Sequence, residues 1–193
     1  MKGIGKLTVF LIPVGIAVNI VGGQIAILLK LPIWLDGIGT ILIGGICGLV
    51  PGLIVAAITQ IINAISLPTV LPYMIVGFAM AAMGTYFSKK GFFLSFRKSV
   101  LLGVLVAIVT TAMAVPMDVI IFGGFIGTGN SIVAAGLMSL GLSIPVAVTI
   151  SSFSFGLVDK TLSVLACYFI IKSMPLNFLS KLPMSEYILS RKQ

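Results

Sequence analysis

The sequence predicts an all-α integral membrane protein with six transmembrane helices, cytoplasmic N and C termini, and a long apolar extracellular segment between helices 5 and 6. Three observations predict it. Of 193 residues, 59% are hydrophobic and 8% charged, against about 25% charged in a soluble domain, and the mean hydropathy is +1.27. The apolar residues form runs close to the roughly 20 that a helix needs to cross a hydrocarbon core of about 30 Å. The basic residues also fall on one side of the topology those runs generate. The length suits one transmembrane domain over 1–193, and a net charge of +8 then orients loops rather than contacting nucleic acid.

The elements follow in order. Residues 7–29 form the first span, closed by Lys30 and Pro32. Lys2 and Lys6 before an apolar core suggest a signal peptide, but the run is longer than the roughly 7–15 residues of such a core, so an uncleaved helix is expected. Residues 37–65 are apolar throughout, interrupted by "GLVPG" at 48–52. Proline and glycine there predict a tight turn at Pro51 between two short spans, 37–50 and 52–66. "SLPTVLP" at 66–72 reads as a loop, 73–87 as the fourth span, and "SKKGFFLSFRK" at 88–98 as a basic loop. The fifth span, 99–117, stops near Pro116 and Asp118. The stretch 118–150 is apolar but broken by glycines, Asn130 and Pro145, which predicts a re-entrant or lid-like loop. The last span is 151–172, followed by a polar, basic tail.

With six spans, Lys2, Lys6, Lys89, Lys90, Arg97, Lys98, Lys172, Lys181, Arg191 and Lys192 lie inside, while Lys30 and Lys160 fall outside or near the outer face. Ten against two is a strong positive-inside bias. A single kinked helix across 37–66 would set the N-terminal lysines against the 89–98 cluster, so two spans are preferred.

That topology sorts the acids. Asp36, Asp118 and Asp159 come out at the external ends of their helices, and Glu186 alone lies in the cytoplasmic tail. Asp159 and Lys160 lie some way into a span, where charge costs a few kcal/mol unless paired or facing a cavity. Asn63 and, one turn deeper, Gln60 are amides that want partners. Trp34 and Tyr73 stand at the outer boundary, as an aromatic belt or as a platform for a flat ligand. The expected substrate-binding set is Trp34, Asp36, Asn63, Tyr73, Asp118, Asn130, Asp159 and Lys160.

Other chemistry is thinly represented. The chain has no histidine, which removes His-based metal sites, catalytic triads and histidine proton relays. Cys47 and Cys167 sit alone in apolar runs and read as buried hydrophobes. "GGFIGTGN" at 123–130 lacks the G-x-G-x-x-G spacing, and no G-x-x-x-x-G-K-[ST] occurs. No catalytic residues, metal ligands or intrinsic cofactor are expected; the chain reads as a binding protein, not an enzyme. Gly15, Asn19 and Gly23, and likewise Gly44, Gly48 and Gly52, repeat at four-residue spacing, which lets helices approach closely within the bundle or on another membrane subunit.

"LPIWLDGIGT" before the second helix, short second and third helices split by "GLVPG", and "VDKTLSVL" in the last helix resemble the substrate-binding S components of energy-coupling factor (ECF) vitamin importers, most nearly the cobalamin type of lactic-acid bacteria. The resemblance covers nearly the whole chain. It implies an S component in the bacterial cell membrane that captures a vitamin, with cobalamin or a related corrinoid as first choice and riboflavin, thiamine or pantothenate as alternatives. It further implies a membrane scaffold (T) subunit and two cytoplasmic ATPase (A) subunits as partners, and toppling in the bilayer to release cargo. The family's first helix carries an Ala-x-x-x-Ala scaffold motif. Here the match is Gly15-Ile16-Ala17-Val18-Asn19, which departs from it, so Gly15, Ala17 and Asn19, with Gly44 and Gly48, are the expected scaffold contacts. A different class, the membrane module of a sensory receptor, shares short glycine-rich helices; no signalling domain is found before Gln193.

Overall fold

The computed structural model describes residues 5–190, so Lys2, Arg191 and Lys192 of the basic set lie outside the described residues. Those residues are helical, without a strand: α1 (Lys6–Leu28), α2 (Ile38–Cys47), α3 (Leu49–Ser66), a 3-10 turn (Pro68–Tyr73), α4 (Met74–Lys89), a second 3-10 turn (Phe92–Leu94), α5 (Phe96–Ile120), α6 (Gly129–Ser139), α7 (Ile144–Ser173), α8 (Leu176–Leu179) and α9 (Ser185–Leu189). Five helical stretches are long and apolar enough to cross a membrane: α1, α3, 68–89, α5 and α7. α1 shows why lipid is the natural surrounding. Val9, Phe10, Val14, Val21 and Leu28 are all more than half exposed, a large apolar face that water would not tolerate on a monomer.

α2 is the central element. Nine of its ten residues, Gly39 through Cys47, are buried among α1, α3, α4 and α7. Ten residues rise only about 15 Å, half the hydrocarbon thickness.

Several boundaries differ from the sequence expectation. The α2–α3 turn is at Gly48, whose φ of +101° suits glycine and strains a side chain. Pro51 instead sits in the first turn of α3, where a backbone N–H is unsatisfied anyway. Pro116 and Asp118 do not stop α5; both lie inside it, and prolines are tolerated in membrane helices where neighbours re-satisfy the freed carbonyl. The stretch 118–150 is not one re-entrant or lid-like loop. It holds the end of α5, the whole of α6 and the first turns of α7, which begins at Ile144 with Pro145 in its first turn. The tail also folds back: Leu179, Leu182, Met184 and Ile188 join the main core, and the Met184 N–H donates to the Ile46 carbonyl at 3.3 Å.

The small residues of α1 are used inside the bundle. A Cβ on Gly39 would lie 2.0 Å from the Gly15 carbonyl oxygen, so α1 and α2 meet backbone to backbone. Asn19, fully buried, sits at this crossing. Its Oδ1 accepts from the Gly39 N–H at 2.7 Å, and its Nδ2 donates to the Thr40 and Thr59 hydroxyls at 2.8 and 3.2 Å. One α1 side chain thus caps the start of α2 and ties it to α3, relieving an orphan N–H that a helix N-terminus leaves. Four of the five expected docking residues have packing or turn roles within the chain. Gly15 and Asn19 are buried against α2, Gly44 packs on Ala81 of α4, and Gly48 makes the turn; Ala17 alone of the five is exposed.

Asn19→Ala should destabilise the bundle by about 2 kcal/mol, three bonds at roughly 0.6 each. The thermal midpoint of detergent-solubilised protein reads this directly, and an unmoved midpoint would show that α2 starts without that cap.

Candidate functional site

α2 has acid before its first residue and base beyond its last. Asp36 precedes its N-terminus, whereas Ile46 in its last turn touches the tail, and Lys89, at the end of α4, lies over the Tyr187 ring. Lys6, Arg97, Lys98 and Lys172 occupy the terminal turns of α1, α5 and α7. At the acidic end lies a cavity open on one side. Its walls come from the 30–37 loop, α3, the 3-10 turn before α4, and α4 through α7.

Seven of the eight expected residues line it: Trp34, Asp36, Tyr73, Asp118, Asn130, Asp159 and Lys160. Lys160 and Asp159 are adjacent midway along α7, deeper than expected, because α7 begins at Ile144 rather than at residue 151. Asp159 is 0% and Lys160 6% exposed, so each charge needs a partner. Lys160 Nζ donates to Asp159 Oδ2 at 2.6 Å and stands 4.0 Å from Asp36 Oδ1. The other Asp159 oxygen accepts from the Leu35 N–H at 3.0 Å. Leu35 and Lys30 are, among the described residues, the non-glycine residues with left-handed backbone, φ 53° and 48°. The bond to Asp159 thus anchors a loop whose conformation is locally unfavourable. Burial pushes the Asp36 carboxyl above its ordinary range, with Asp159 adding to the shift and Lys160 opposing it.

A second cluster forms the facing wall. The Tyr73 hydroxyl donates to Asp118, and the Ser152 hydroxyl reaches the other Asp118 oxygen at 3.4 Å. Asn130 Nδ2 donates to Ser152 Oγ at 2.9 Å, while Ser151 donates to the Asn130 side chain and carbonyl. Tyr73 stacks on Phe122 at 6.2 Å with planes 13° apart. Asp118 and Asn130 therefore act in one network, and α6 is positioned by it.

Asn63 does not reach the cavity. Its Oδ1 accepts from Gln24 Nε2 at 3.1 Å, and it packs on Gly23, so it fastens α3 to α1. Gln60, three residues earlier and so about 60° around the helix, lines the cavity instead. Sequence reasoning ranked the two amides the other way, and also passed over Ser152, Phe155, Gly156, Thr110 and Thr111. The α7 signal was present: Ser152, Phe155 or Gly156, and Asp159 recur at three- and four-residue intervals, one face of a helix.

Among the described residues no group of histidine, cysteine or acidic side chains is arranged to hold a metal. The paired charges and committed hydroxyls can orient and desolvate a small molecule. Comparison with known proteins adds no neighbour: no family model, curated protein or solved structure matches the chain.

Proposed function

We propose that the chain is the substrate-capturing S component of an energy-coupling factor importer, a multi-pass protein of the bacterial cytoplasmic membrane. In this role it takes a vitamin from outside, does no catalysis itself, and depends on a membrane scaffold subunit and two cytoplasmic ATPase subunits. The observation that carries the reading is a cavity, lined by buried charge and aromatic side chains, at the end of the bundle away from the terminal lysines. The positive-inside rule makes that end extracellular, with α2 and α3 as the short second and third of six spans.

The resemblance favours a corrinoid cargo. The flat apolar wall of Trp34, Tyr73 and Phe155 also suits the smaller ring systems of riboflavin and thiamine.

Purified protein should be melted with cobalamin, riboflavin, thiamine and pantothenate in turn. One of them should raise the midpoint, since ligand at about 100 times its Kd stabilises the folded state by roughly 2.7 kcal/mol. The scaffold and ATPase subunits should co-purify from the native membrane. Four unmoved melts together with a chain that comes down alone would remove the importer reading.

A further inference from the structure

We infer that Gln60 is a ligand-recognition residue, and that the cavity takes an uncharged or cationic ligand carrying an N–H donor on a flat ring, such as an aminopyrimidine or a cyclic imide. The inference rests on the reading of the cavity as a ligand site. It comes from asking which polar groups in the cavity wall already have partners.

Most donors are committed. Lys160 gives its ammonium to Asp159 and faces Asp36. The Tyr73 and Ser152 hydroxyls are directed at Asp118, Asn130 Nδ2 at Ser152, and the Thr110 hydroxyl at the Val106 carbonyl of its own helix. One acceptor is left over. Gln60 is 7% exposed and lines the cavity, yet its Oε1 is buried with no hydrogen-bond partner among the described residues. Asp36, also buried, faces Lys160 at 4.0 Å.

An unpaired buried amide oxygen is a cost to the empty protein. A ligand N–H removes that cost, and the amide can turn to meet it because its terminal torsion is broad and two-fold. Charge narrows the class further. Lys160 is the one cation among the lining residues and is shared between two carboxylates. An anion entering the cavity finds carboxylates without a spare counter-charge, whereas a cation or a neutral donor does not meet that barrier. Trp34, Tyr73 and Phe155 supply flat apolar wall for the ring.

Gln60→Met keeps length while deleting both amide ends; Gln60→Leu serves as a second variant in case the thioether repacks badly. The full-length purified protein is measured twice. In the ligand-free melt, the variants should rise by about 2–4 °C, the gain from deleting an unsatisfied polar group. In titrations with thiamine and riboflavin, whichever binds the wild type should lose about tenfold or more in affinity, and pantothenate should bind neither form. A fall of the ligand-free midpoint in both variants makes Gln60 a structural residue and overturns the inference. So does unchanged affinity in the variants, or pantothenate as the tightest ligand. If no vitamin binds the wild type and the chain also purifies alone, the importer reading fails, and the ligand-free midpoint alone then decides for or against Gln60.

Discussion

Lys160→Ala should lower the stability of the bundle by about 3–5 kcal/mol, because it leaves a fully buried carboxylate without its cation. Asp159 is 0% exposed and its Oδ2 has Lys160 at 2.6 Å. Removing the ammonium also leaves Asp36 facing Asp159 with nothing between them. Asp159→Ala combined with Lys160→Ala should cost less than Lys160→Ala alone, since charge and counter-charge leave together. Part of the loss should persist, because the Leu35 N–H then has no acceptor. Thermal midpoints of the two single variants and the double variant form the cycle. Additive losses would mean that the two side chains do not share one buried environment. The same double variant should bind the vitamin found in the melting panel about tenfold more weakly or worse, since the anchor of the 30–37 loop is lost with the pair. Wild-type affinity in the double variant would take Asp159 and Lys160 out of the site.

Gly39→Ala should be comparably damaging, by about 3 kcal/mol or more, for a reason of shape alone. The added Cβ would lie 2.0 Å from the Gly15 carbonyl oxygen and 2.9 Å from Asn19 Oδ1. Both obstacles belong to α1, and the nearer one is backbone, which no rotamer change can move. α1 and α2 would have to part, breaking the Asn19 cap with them. Gly136→Ala supplies the contrast. Nothing lies within 4 Å of that position, and it sits within α6, so alanine should be neutral or stabilising by about 0.5–1 kcal/mol. The yield of monodisperse protein in detergent and its thermal midpoint measure both. Equal behaviour of the two variants would show that the α1–α2 crossing is looser than 2.0 Å implies.

Much of this protein was readable from one dimension. Hydropathy is additive along a chain, so the all-helical, lipid-facing character followed from counting, and α1 and α4 came within about two residues of their expected bounds. The gathering of Asp36, Asp118 and Asp159 followed from the alternation of spans, since helices that alternate in direction return every second connection to the same end. Proline was the misleading signal. Pro51 and Pro116 were read as stops, whereas the first sits in the first turn of α3 and the second inside a long apolar helix, both places where a missing N–H is tolerated.

The sequence by itself determined that the chain is helical and apolar, that Asp36, Asp118 and Asp159 stand apart from most of the basic residues, and that buried charge exists in the last long helix. Tertiary structure decided which side of each helix faces what. Asn63 turned to α1 and Gln60 to the cavity, although both are amides on one helix. The spacing of Gly15 and Asn19 served α2 within the chain. The physical reason is rotational. Composition sets that a helix forms and where it lies, but its rotation about its own axis is set by packing summed over every neighbour, and about 60° of turn separates a structural amide from one left open to a ligand.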